Sequence, residues 1–80
     1  MNQHSIVVPE LDLPGVPIKL SSWLMSIGDR VVEGDRVAEV LAGAVTVDLE
    51  SPATGILAER LVAVDDTLTV GQAIARVVSR

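Results

Sequence analysis

Few residues in this chain have the types and spacings that do chemistry. His4 is the only histidine and there is no cysteine, so a zinc site lacks a ligand set. Asp65 and Asp66 are adjacent, and neighbouring acidic residues in a turn hydrogen-bond local backbone. Asp12, Asp29 and Asp35 read the same way. No nucleophile is matched with a general base, and no glycine-rich loop is built to cradle phosphate. Lys19 is the only lysine, and its place at the start of a strand suits a solvated surface charge. Catalytic residues and a metal are therefore not expected, and the chain is not expected to be an enzyme.

The elements that must position these residues come from an unusual composition. Of 80 residues, 49% are hydrophobic, yet there is one Trp and no Phe or Tyr. The core must be built from Val, Leu, Ile and Ala. Val is the commonest of these, which favours pleated sheet over helix. The length suits one domain, 1–80 with its core at about 5–78, near the size where a single core is marginal. A net charge of −5 argues against nucleic-acid binding, since phosphate affinity comes from Lys and Arg. No stretch is apolar enough for a membrane span, and no basic segment precedes an apolar run at the start. A soluble, cytoplasmic protein is expected.

Along the chain, residues 1–4 read as a frayed end and 5–8 as a short strand stopped by Pro9. Residues 9–17 hold three prolines and a glycine, the composition of a constrained loop. Residues 18–27 alternate in part, with Trp23 out of register, and end at the turn Gly28-Asp29. Glu33-Gly34-Asp35 is a second turn. Residues 37–41 and 45–49 are the cleanest strand pair. In the second, Val45, Val47 and Leu49 alternate with Thr46, Asp48 and Glu50, the period of a half-buried strand. Further strands are expected at 56–64, 68–70 and 74–78. Such short strands suggest a small sandwich or barrel. Trp23 is expected to fill core space.

The chain also repeats. Shifted so that Gly34 falls on Gly71, Leu24 meets Leu61, Ile27 meets Val64, and Gly28-Asp29 meets Asp65-Asp66. Val31 then meets Leu68, Val37 meets Ile74 and Val40 meets Val77. Two half-domains about a pseudo-two-fold axis explain this, each too small to bury its own apolar face. The repeat is expected to make the N- and C-terminal strands counterparts.

Trp23-Leu24, Gly28-Asp29, Val31, Gly34-Asp35, Glu39-Val40, Ser51-Pro52, Gly55 and Val70-Gly71 together resemble the framework of lipoyl domains. Those belong to the acyltransferase subunits of 2-oxo acid dehydrogenase complexes, and biotin carrier domains share their fold. The resemblance covers roughly 7–78. It implies an all-β, flattened barrel or sandwich of two four-stranded antiparallel sheets, with an attachment turn exposed at one end.

The departures from that family fall where function would sit. Lipoyl domains carry Asp-Lys at the hairpin tip and biotin domains Met-Lys-Met. Counting back from Gly55 puts the lysine position at Ala44, with Gly43 before it and Val45 after it. An alanine methyl cannot form the amide that tethers either cofactor, so none is expected. The tip Ala42, Gly43, Ala44 and Val45 is expected to be an inert turn, with only Gly43 and Ala44 facing water. The acidic position on the outgoing strand is kept as Asp48. The loop Leu13, Pro14, Gly15, Val16 and Pro17 matches a partner-recognition loop, but its usual Glu-Gly step reads Pro17-Ile18. Attachment at Lys19 is not expected, because a ligase needs a lysine on an exposed turn. The resemblance implies a non-catalytic module for protein–protein contact within a multienzyme complex, or a vestigial carrier. Two alternatives remain open: an attachment-null form of a lipoyl carrier domain, and a structural module of a membrane-fusion adaptor.

Overall fold

The computed structural model describes residues 1–79, which form eight strands and, among those residues, no helix. They are β1 (Asn2–Val7), β2 (Ile18–Trp23), β3 (Arg30–Val31), β4 (Arg36–Ala42), β5 (Val45–Glu50), β6 (Gly55–Arg60), β7 (Thr67–Leu68) and β8 (Ala73–Ser79). Two four-stranded sheets have the orders β1-β8-β6-β3 and β5-β4-β2-β7, with every pairing antiparallel. One face of each sheet must be covered, so the two pack against each other as a sandwich.

The core is aliphatic. Leu20, Leu57, Val31, Val37, Val40, Ile74 and Val77 are wholly buried, and all belong to one cluster with Ile6, Val8, Leu49 and Leu68. Trp23 does not fill this core. It is half-buried at its margin, where its indole N–H donates to the Val62 carbonyl at 3.3 Å. The Arg60 guanidinium lies 5.4 Å from the ring centroid, within cation–π range.

The expected pseudo-two-fold appears in the hydrogen bonds. Leu24 N–H donates to Val37 and Leu61 N–H to Ile74, each at 2.8 Å. Gly28 N–H reaches Leu57 O, and Asp65 N–H reaches Leu20 O. The turn side chains repeat as well: Asp29, Asp35, Asp66 and Gln72 accept from the backbone N–H of Ser26, Val32, Ala63 and Thr69. In this scheme Arg60 is the counterpart of Trp23, so the cation–π contact bridges the halves.

The outer strands follow a different offset. β1 and β8 are not counterparts but neighbours, paired from Asn2↔Ser79 to Val7↔Ala73. The mate of β1 is β5, which holds the same place in the other sheet, and the offset differs because loop 9–17 is longer than the equivalent connection 52–54. Residues 1–4 are not frayed as a unit: the strand begins at Asn2, and His4 Nε2 lies 2.9 Å from Ser79 Oγ. By the same symmetry, the ladder end Ala42↔Val45 corresponds to Ser79↔Asn2. The β4–β5 turn and the Asn2–Ser79 ladder end thus occupy opposite poles of a body 38 Å long.

The repeated turns supply a test. Asp35 Oδ2 accepts from Val32 N–H at 2.8 Å. Asp35→Ala is expected to lower the urea midpoint by the equivalent of about 1 kcal/mol. Asp35→Asn keeps an accepting oxygen and is expected to lose much less.

Candidate functional site

The candidate site is the pole closed by β4 and β5. The pairing Ala42↔Val45 leaves Gly43 and Ala44 as a two-residue turn. Gly43 has φ +61° while Ala44 is not among the positive-φ residues. A left-handed first residue followed by an ordinary second one is the type II′ hairpin, which calls for glycine first.

Loop 13–17 packs beside this turn. Val16 N–H donates to Leu13 O at 3.2 Å, and Gly15 takes φ +76° to close that bend. The loop then reaches the tip, where Gly43 N–H donates to Pro17 O at 3.2 Å. A Cβ added to Gly43 would lie only 3.0 Å from Val16 Cγ1. The structure therefore brings together the two stretches that the sequence marked separately, the tip and the loop before β2.

The exposure of the tip departs from expectation. Ala42 is buried, and Gly43 and Ala44 face water, but so do Leu41 and Val45. Val45 is 51% exposed. Leu13, Pro14, Gly15 and Pro17 are exposed, while Val16 turns partly inward. Neither 13–18 nor 40–47 contains an ionisable side chain. These two stretches are uncharged and mostly apolar, on an otherwise acidic protein.

Lys19 is nearby but not on the turn. It lies exposed on β2, with Leu41 of β4 and Thr67 of β7 as its cross-strand partners. Asp48 lies on β5 and pairs with Arg36 at 3.2 Å. This exposed pair contributes little to stability. Among the described residues, no group of three or more His, Cys, Asp and Glu could hold a metal ion. Nor is any helix long and apolar enough to cross a membrane.

The residues of the tip do not fit a covalently held acid cofactor. Such a tether needs a primary amine, and Ala42, Gly43, Ala44 and Val45 offer only methyl groups and hydrogen. What sequence reasoning missed is the brace from Val16 and Pro17 to Gly43. A glycine at the tip was its one visible signal.

A family model described as Biotin-requiring enzyme, covering biotin and lipoyl domains, matches residues 6–77. The chain is 38% identical over 70 residues to the dihydrolipoyllysine-residue succinyltransferase component of the 2-oxoglutarate dehydrogenase complex of Staphylococcus saprophyticus, covering 88% of this chain and 16% of that protein. It is 31% identical over 75 residues to the dihydrolipoyllysine-residue acetyltransferase component of the acetoin cleaving system of Pseudomonas putida, with 94% and 20% covered. The chain thus spans a fifth or less of the length of these curated relatives. Among solved structures, the lipoyl domain of the 2-oxoglutarate dehydrogenase complex from Azotobacter vinelandii superposes with a TM-score of 0.72 at 17% identity. It covers 94% of this chain and 98% of that one. The product-bound ectoine utilization protein EutE from Ruegeria pomeroyi gives a TM-score of 0.62 at 19% identity, over 88% of this chain and 23% of that one.

Proposed function

The chain belongs to the biotin and lipoyl domain family, and from that membership we propose that it is a non-catalytic module of the carrier fold that holds neither lipoate nor biotin at its hairpin tip. Carrier domains of this kind are not catalysts themselves. The observation that carries the proposal is the exposed hairpin turn Gly43–Ala44, which offers no amine, whereas relatives are named for a dihydrolipoyllysine residue. Ala44 stands at the attachment position, and the methyl group there cannot form an amide.

What remains is a surface for protein contact. Leu41, Val45 and Leu13 are exposed at the tip pole, and aliphatic groups displayed together suit burial against a partner. The relatives are components of dehydrogenase complexes and of an acetoin cleaving system. Their setting supports a cytoplasmic module acting within a multienzyme assembly.

The test is intact mass after incubation of the unchanged chain with lipoate ligase and, separately, with biotin ligase. No gain in mass is expected with either. A gain of one lipoyl or biotinyl group would overturn the reading. It would show a carrier whose attachment residue is Lys19, the only lysine, and not position 44.

A further inference from the structure

We infer that the mismatch with lipoate and biotin is built into the backbone of the tip: Gly43 and Val16 would make a ligase reject this domain even with a lysine at position 44. The inference rests on the reading that Ala44 stands at the attachment position. It adds two specificity-determining residues to that reading.

Three observations meet at Gly43. Its φ of +61° lies in the left-handed region, which side chains with a Cβ adopt at a cost. A Cβ there would lie 3.0 Å from Val16 Cγ1, so the valine would have to give by a few tenths of an ångström. The Gly43 N–H is held by Pro17 O at 3.2 Å, which ties the turn to the loop. Each restraint alone tolerates some change. Together they fix a type II′ turn that only glycine fills without strain.

Lipoyl and biotin tips place Asp or Met before the lysine, and both have a Cβ. Either residue would be strained at position 43 as the turn stands here. A lysine at position 44 would leave the second place of a II′ turn, and its Cα–Cβ direction would follow that turn. A ligase must bring one amine into a buried site, and a displacement of about 1 Å there is enough to cost orders of magnitude in rate. The altered tip and the altered loop are then coupled, because Val16 of the loop packs against the place where a Cβ at position 43 would lie.

The experiment compares lipoyl incorporation by lipoate ligase into Ala44→Lys and into the triple variant Val16→Ala/Gly43→Asp/Ala44→Lys, with the unchanged chain alongside. The triple variant restores Asp-Lys and removes the methyl groups in its way. It is expected to be modified at least tenfold faster than Ala44→Lys. A ratio below tenfold, including no modification of either, would overturn the inference. Proton NMR of Ala44→Lys gives a second reading that needs no folded triple variant. A contact between the Val16 methyls and the Gly43 α-protons is expected, with a positive φ at residue 43. Loss of both would also overturn it. The unchanged chain separates the two proposals. If it is modified, the attachment reading fails; if it is not, and Ala44→Lys is modified as fast as the triple variant, this inference fails alone.

Discussion

Alanine at Gly55 is expected to cost about 3 kcal/mol or more, the largest effect of any single methyl group added to this domain. Gly55 is not needed for its backbone angle, because it is absent from the positive-φ glycines. It is needed for space. A Cβ there would lie 2.1 Å from the Val78 carbonyl oxygen, 2.8 Å from its carbon and 3.1 Å from Ser79 Cα. All three atoms are backbone of β8, so no side chain can rotate aside. Relief requires β6 and β8 to separate where Ile56 pairs with Val78, in the middle of a four-stranded sheet. Proteins of this size have little stability to spare. Gly28→Ala is the contrasting case, with φ +95° and nothing within 4 Å of the added atom. That change carries only the left-handed penalty, about 1–2 kcal/mol. Urea unfolding of both variants distinguishes crowding from backbone strain. A Gly55→Ala midpoint no lower than that of Gly28→Ala would show that β8 gives way more easily than its geometry implies.

Leu57→Ala is expected to cost about 3 kcal/mol, within the range of 2–5 for a fully buried leucine. Leu57 has no exposure, and its counterpart Leu20 has none either. Each also links its sheet to a turn of the other half. Leu57 N–H donates to Asp29 O and its carbonyl accepts from Gly28. Leu20 does the same with Asp66 and Asp65. A cavity at either site therefore opens beneath a junction of the two halves, which limits how far the surroundings can collapse into it. Leu20→Ala is expected to cost a similar amount. Leu24→Ala, on a side chain 46% exposed, should shift stability by less than about 0.5 kcal/mol. Chemical denaturation of the three variants checks the ranking. Equal costs at Leu24 and Leu57 would contradict the assignment of the core.

Much of this architecture was legible because valine and glycine-aspartate turns leave plain marks. The alternation through Val45, Val47 and Leu49 located β5, and the turns at Gly28 and Gly34 fell where the structure has them. The region after Ile18 was harder to read. A β-bulge between Leu20 and Ser22 inserts a residue into the period, and this puts Trp23 out of step and leaves Leu24 in water. The symmetry was visible only where the two halves keep one offset. Loop 9–17 shifts that offset for the outer strands, so the pairing of β1 with β8 did not show. At the site, the turn and its missing amine could be read from residue types alone. The brace between Val16 and Gly43 could not, because it joins stretches distant in sequence and depends on where a side chain points.

The correspondence between the β4–β5 turn and the chain ends makes the domain nearly indifferent to where its polypeptide starts. Asn2 and Ser79 face each other across a ladder as Val45 and Ala42 do, so a short linker could close that pole into a hairpin. Opening the chain between Gly43 and Ala44 would then yield a circular permutant with the same two sheets and the same core. Its termini would emerge at what is now the tip, and its only closed end would be the pole that now holds residues 2 and 79.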